Sequence, residues 1–271
     1  MNEIKHFVYI SSSWGIDMSI YKRILTVCIF IALSMSYTQN AFAFKINLTD
    51  TTLNLDDGMS STTATIVNDS TNMIAIEAGV KLRSYNRDGV ENFDIDAEDL
   101  IMIPSQMIVP PGGEQVLSIR WTGPRDVSIE KSYRLLIEYV AISEDKLKGI
   151  VTEEQQAGIN INYRIAKAFY VSPKGAKAKV TLQNATRTLI EEKDLLQLSF
   201  ENIGNKHQIA HGIELKFVTT EKENITLFLS KADLGGSINF LPQETRDIII
   251  PCPDILQEKE IMSATIVHLE K

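Results

Sequence analysis

From Phe44 onward the chain is built of short stretches in which apolar and polar residues alternate, most of them closed by glycine, proline, asparagine or aspartate. Residues 74–85 are the clearest case. Ile74, Ile76, Ala78, Val80 and Leu82 recur at every second position ahead of a turn at 86–89. Successive side chains of an extended strand point to opposite faces, so this period predicts strands with one buried face. Residues 48–55, 62–67, 101–103, 107–109, 115–122, 133–142 and 159–171 read as further strands of the same series. Pro173-Lys174-Gly175 interrupts it, and a second series follows at 179–183, 195–202, 213–219, 226–229, 238–241, 245–250 and 263–269. Each half has the strand count and spacing of an immunoglobulin-like sandwich. The expected fold is therefore all-β, two immunoglobulin-like β-sandwich domains in tandem, the first at 44–172 and the second at 173–271.

Ahead of the strands lies a different pattern. Lys22-Arg23 precede an apolar run at 24–35, and a polar stretch then ends in Ala41-Phe42-Ala43. These are the three regions of a secretory signal peptide with cleavage before Phe44. The run is too short for the ~20 residues that cross a bilayer as a helix. Residues 1–17 sit upstream of the positive region as an extension, and Met18 makes a more ordinary start. Cleavage removes Cys28 and leaves Cys252 alone, so no intramolecular disulfide is expected in an oxidising compartment. Cys252 lies between Pro251 and Pro253 with no cation beside it, and reads as a partly buried small apolar side chain.

Charge narrows the function. The mature chain carries 24 Lys and Arg against 33 Asp and Glu, a formal charge of −9. Such a field repels nucleic acid, and no basic block offsets it. His207 and His211 fall in what reads as a turn without an acidic or cysteine partner at metal-site spacing, and are expected to be polar surface histidines. Pro110-Pro111-Gly112-Gly113 lacks the lysine and helix of a phosphate loop and reads as a hairpin turn. The acidic stretch 94–99 lacks the spacing of a calcium loop and reads as solvated. With no nucleophile motif present, the chain is expected to be no enzyme, with no metal, cofactor or small-molecule substrate.

One family shares the remaining motifs. Ile103-Pro104 through Pro110-Pro111-Gly112-Gly113, followed by Val116-Leu117-Ser118-Ile119-Arg120, resembles the signature of periplasmic pilus chaperones of the chaperone–usher pathway, the PapD-like proteins. Residues 130–139, with Tyr133-Arg134, resemble the family's sixth strand and lean toward its archaic and alpha branches. Residues 159–173, with Lys167-Ala168-Phe169-Tyr170, resemble its seventh strand and domain junction. In the second half Phe200-Glu201-Asn202-Ile203-Gly204-Asn205 and Phe240-Leu241-Pro242 are similar to its shorter motifs.

That resemblance implies an L-shaped pair of sandwiches with a cleft between them, in the periplasm. It implies capture of pilus or fimbrial subunits by donor-strand complementation and delivery to an outer-membrane usher. A subunit of this kind lacks its last strand, and the chaperone lends its seventh. Ile159, Ile161, Tyr163 and Ile165 supply the alternating apolar face that a lent strand needs. The subunit's terminal carboxylate needs cations to fix its register. Arg120 and Arg134 are the leading pair for that role, with Lys167 third. Two departures bear on the anchor. The first strand carries no arginine before Asp57-Gly58, and Lys167 stands one position out of register when counted back from Pro173. The competing expectation is a surface adhesion module that binds through its end loops.

Overall fold

The structure, a computed structural model, describes Arg23, Thr26 and residues 44–55, 58–140 and 163–271. The chain divides into two units, Met1–Phe42 and Ala43–Lys271. The expected signal peptide and its extension, residues 1–43, lie outside the described residues apart from Arg23 and Thr26, as does the loop 143–158. Within the second unit two separate hydrophobic cores form, one from Ile46 to Val171 and one from Leu196 to Leu256.

The first core is enclosed by β1 (Phe44–Leu48), β2 (Thr52–Asn54), β3 (Ser61–Asn68) and β4 (Ile74–Leu82). After the short hairpin strands β5 (Ser84–Tyr85) and β6 (Glu91–Asn92) come β7 (Leu100–Ile103), β8 (Gln106–Val109) and β9 (Glu114–Trp121). β10 (Lys131–Val140) and β11 (Arg164–Ser172) complete it. They form a four-stranded sheet in the order β1-β3-β9-β7, and a five-stranded sheet in the order β2-β11-β10-β4-β8. Alternation decides what is buried. In β4 Ile74, Ile76, Ala78 and Val80 face the core, and Leu117, Ile119 and Trp121 of β9 meet them from the other sheet.

Two expectations about local structure change here. The stretch 48–55 is not one strand. β1 pairs with β3 in one sheet, while β2 pairs in parallel with the end of β11 in the other. The chain crosses between them at Thr49-Asp50-Thr51, where Thr62 donates its hydroxyl to Asp50 at 2.9 Å. Nor is 110–113 a hairpin turn, because β8 pairs with β4 and β9 with β3 and β7. That turn carries the chain from one sheet to the other, with Gly112 at φ +64°. Both crossings escape pattern reading because alternation reports which face is buried, not which sheet the strand joins.

The second core is built by β12 (Val180–Ile190), β13 (Lys193–Asn202), β14 (Gln208–Ala210) and β15 (Gly212–Thr219). β16 (Asn224–Leu229), β17 (Ile238–Phe240), β18 (Thr245–Pro251) and β19 (Ile261–Glu270) follow. Their sheets run β12-β13-β18 and β16-β15-β19, with β14-β17 a small pair. β12 is much longer than its expected span at 179–183, because a bulge between Leu182 and Asn184 shifts its alternation while pairing with β13 continues. Cys252 is buried in this core, more fully than the expected partial burial, and burial pushes its thiol pKa up.

Phe200 is fully buried at the centre of the second core, 5.6 Å between ring centroids from Phe240. Truncating it leaves a cavity that close packing cannot refill. We expect Phe200→Ala to cost about 3–5 kcal/mol, visible as a lowered urea midpoint for the second sandwich; an unchanged midpoint would contradict this packing.

Candidate functional site: an open strand edge beside a polar junction

Among the described residues β11 has one strand neighbour along most of its length. It pairs with β10 from Arg164 to Val171, whereas β2 covers its other edge only at Tyr170–Ser172. The direction of the backbone groups follows from two bonds. The Tyr139 amide donates to the Tyr163 carbonyl at 2.9 Å, so odd-numbered residues of β11 bond toward β10. The Tyr170 amide donates to the Thr51 carbonyl at 3.0 Å, so even-numbered residues face the other way. The amides and carbonyls of Arg164, Ala166 and Ala168 therefore point outward along an edge that no strand occupies among the described residues. An edge of this kind is a template for another strand.

The apolar face of this segment is shared with the first core. Ile165 is partly buried and packs against that core, opposite Ile137. Tyr163 is 40% exposed. Ile159 and Ile161 lie outside the described residues.

On the outer face of the five-stranded sheet, Arg134 of β10 stands directly opposite Ala168 of β11. Its guanidinium donates through Nε to Glu91 Oε1 at 2.6 Å and through Nη2 to Oε2 at 2.7 Å. Arg83 follows β4 and donates through Nε to the same Oε1 at 2.5 Å. Its Nη1 donates to the Tyr170 hydroxyl at 2.9 Å, and its Nη2 to the Tyr85 hydroxyl. Burial pushes the Glu91 carboxyl up, but the two guanidinium groups outweigh it and hold the pKa below the usual carboxylate value.

The same outer face meets the second sandwich through Glu130, Tyr170 and His207. The His207 ring stacks on Tyr170 with centroids 3.7 Å apart and planes 7° apart. Its Nδ1 lies 2.5 Å from Glu130 Oε1, which also accepts the His207 amide at 2.8 Å. Ser172 donates its hydroxyl to the other oxygen of Glu130. Glu130 is fully buried at its side chain. Burial raises its pKa, yet the bonds from His207 and Ser172 prevail and leave it lowered. Asn239 closes the contact by donating to the Tyr170 hydroxyl at 2.9 Å.

Several expected roles move. Arg120 and Arg134 do not form a pair. Arg120 is exposed on β9 in the four-stranded sheet, between core-facing Ile119 and Trp121, whereas Arg134 lies on the outer face of the other sheet. Lys167 is exposed and stands opposite core-facing Leu135, so it lies on the face of β11 opposite to the one beside Arg134. His207 is no surface histidine, since Glu130 and Tyr170 cover it. Asp99 is no solvated loop residue either; it accepts the hydroxyl of buried Tyr133 at 2.8 Å and pairs with Lys131. Arg83, Glu91 and Glu130 are the polar residues that pattern reading missed. Among the described residues no cluster of His, Cys, Asp and Glu could hold a metal ion.

Comparison with known proteins places the fold of the first sandwich. Residues 45–177, the first sandwich and its junction, match the pili and flagellar-assembly chaperones in their PapD N-terminal domain. The first sandwich belongs to that chaperone family. Among solved structures, a chain of the chaperone–tip adhesin complex of CFA/I fimbriae biogenesis is 16% identical to this chaperone. The match covers 84% of this chain and 98% of that one, with a TM-score of 0.51. The class 5 fimbriae chaperone CfaA is 15% identical over 84% of this chain and 99% of its own, with a TM-score of 0.50. At these identities the likeness is one of fold, that of two immunoglobulin-like sandwiches. No curated protein matches the chaperone.

The Glu130 bonds make a pH signature. Its folded pKa lies below the ordinary value of 4.5, so its stabilisation is complete above that value and is lost as pH falls through the folded one. Between about pH 5 and about pH 3 the wild-type urea midpoint should fall more steeply than that of Glu130→Gln. Parallel slopes would remove Glu130 from the junction's energetics.

Proposed function

We propose that the protein is a non-enzymatic periplasmic chaperone that binds pilus subunits by adding its β11 edge to their incomplete sheets, then delivers them to an outer-membrane usher. The observation that carries this reading is the outward row of backbone groups at Arg164, Ala166 and Ala168. Three amides and three carbonyls in strand geometry, with no partner strand among the described residues, suit the addition of an extended segment. Export through the segment ending in Ala41-Phe42-Ala43 puts the protein where subunits emerge. The two modules are residues 44–172 and 173–271, joined at Pro173-Lys174-Gly175.

The length of β2 gives the added strand an end point. β2 takes over the edge at Tyr170, so a guest strand running along β11 must stop near Ala168. Arg134 flanks that stop on one face of the sheet and Lys167 on the other. A terminal carboxylate lying in the sheet plane is within the reach of both, which supports Arg134 and Lys167 as the anchor and leaves Arg120 out. Tyr163, and beyond it Ile161 and Ile159, would enter the guest's groove.

The direct test is co-expression of the protein with a candidate pilin in the periplasm, followed by co-purification. Ala166→Pro removes one outward amide without touching the bonds to β10, because an edge position tolerates proline. We expect that variant to stay folded by circular dichroism and to lose at least tenfold in pilin recovery. Full recovery would exclude the β11 edge. Arg134→Ala should likewise reduce recovery, whereas Arg120→Ala should not; the opposite order would reverse the assignment of the anchor.

A further inference from the structure

The Arg83–Arg134 site already holds a carboxylate. Glu91 presents one oxygen to the Nε of both arginines, at 2.5 and 2.6 Å, and the other to Arg134 Nη2 at 2.7 Å. Two guanidinium groups this close would repel each other without an anion between them, and bonds between ionised partners are the strong ones. Arg134 Nη1 also comes within 3.5 Å of the Ala166 carbonyl, one of the outward groups of β11. The arginine that holds Glu91 is thus the one that touches the open edge.

The mounting of Glu91 is suited to release. It sits on β6, half of a two-residue hairpin pairing Ser84 with Asn92 and Tyr85 with Glu91. Its side chain keeps 22% exposure, so an incoming group can reach it, while Arg83 beneath it keeps 5%. The turn of that hairpin is tied to the second sandwich. The Asp247 amide donates to the Arg87 carbonyl at 2.7 Å, and Arg87 Nε donates to Asp247 Oδ2 at 2.9 Å. Gly89, at φ +84°, lies against the Arg246 guanidinium so closely that a Cβ there would be 2.0 Å from it. Arg83 has two further partners, the hydroxyls of Tyr170 and Tyr85, which keep it in place when Glu91 leaves.

We propose that Glu91 is an internal stand-in for the subunit's terminal carboxylate, occupying Arg134 in the free protein and giving way to the guest when a strand is added along β11. This rests on the strand-addition reading above. In the free state the cradle carries one net positive charge rather than two, and its outward donors are occupied. A guest carboxylate replaces like with like, so register is fixed by exchange of one carboxylate for another at Arg134. A peptide lacking a free carboxylate cannot make the exchange.

The test uses acetyl-Ala-Phe with a free carboxylate, its C-terminal amide, and full-length protein carrying the wild-type residue or Glu91→Gln. Binding is followed through the arginine Nε resonances. Removing the internal competitor should tighten acetyl-Ala-Phe about tenfold, and the amide should bind neither protein. Equal dissociation constants for the two proteins, or equal binding of acid and amide, would overturn the proposal. Should Glu91→Gln fail to fold, the wild type still decides: saturating acetyl-Ala-Phe must shift both the Arg134 Nε and the Glu91 carboxyl signals, and a stationary Glu91 signal refutes displacement. Failure of the strand-addition reading looks different. In that case the wild type recovers no pilin in co-expression, whereas a failed exchange leaves pilin recovery intact and only the Glu91→Gln comparison flat.

Discussion

Every β-strand has two hydrogen-bonding edges, and β11 gives one of them to β10 while, among the described residues, its other edge is covered only at its last three residues. Burying backbone amides and carbonyls without partners costs free energy. The outward groups at Arg164, Ala166 and Ala168 therefore suit contact with water or with an added strand, the Ala166 carbonyl also taking a bond from Arg134. The rest of the molecule is arranged around that condition. The first sandwich holds β11 rigid from one side, β2 sets the limit of the free edge, and the second sandwich covers the strand's far end.

Polar groups gather where the edge stops. On the outer face near Ala168 and Tyr170 the chain brings together Arg83, Arg134, Glu91, Tyr85 and Tyr170, and beyond them Glu130 and His207. Such groups are costly to bury singly and acceptable only as a connected network. The carboxylates of Glu91 and Glu130 are both held below their usual pKa despite burial, because each is bonded at both oxygens. The network orders the junction, and its charge suits the recognition of an anion.

Much of the fold is legible along the sequence, because burial on one face imposes period two, and β4, β9 and β10 show it. The breaks in that period are where the reading fails. A bulge between Leu182 and Asn184 shifts the faces of β12, and 48–55 reads as one strand because both sheets demand the same alternation. The site is harder to read for a related reason. Arg120 and Arg134 occupy equivalent polar positions in alternating strands, yet their strands belong to opposite sheets. Arg83 and Arg134 are far apart in sequence and become neighbours only because β4 pairs with β10, setting Leu82 across from Tyr133. His207 meets Glu130 across 77 positions. No local spacing encodes such a contact, whereas the alternation at 159–165 is local and legible in the sequence.

Tyr170 ties these parts together. Its amide bonds Thr51, its ring lies on His207, and its hydroxyl receives both Arg83 and Asn239. It is also on the same extended strand as the free edge, two residues beyond Ala168. The strand that carries the outward backbone groups therefore ends in the residue on which the second sandwich is seated, so a substitution that unseats His207 from Tyr170 also acts on the anchored end of that edge.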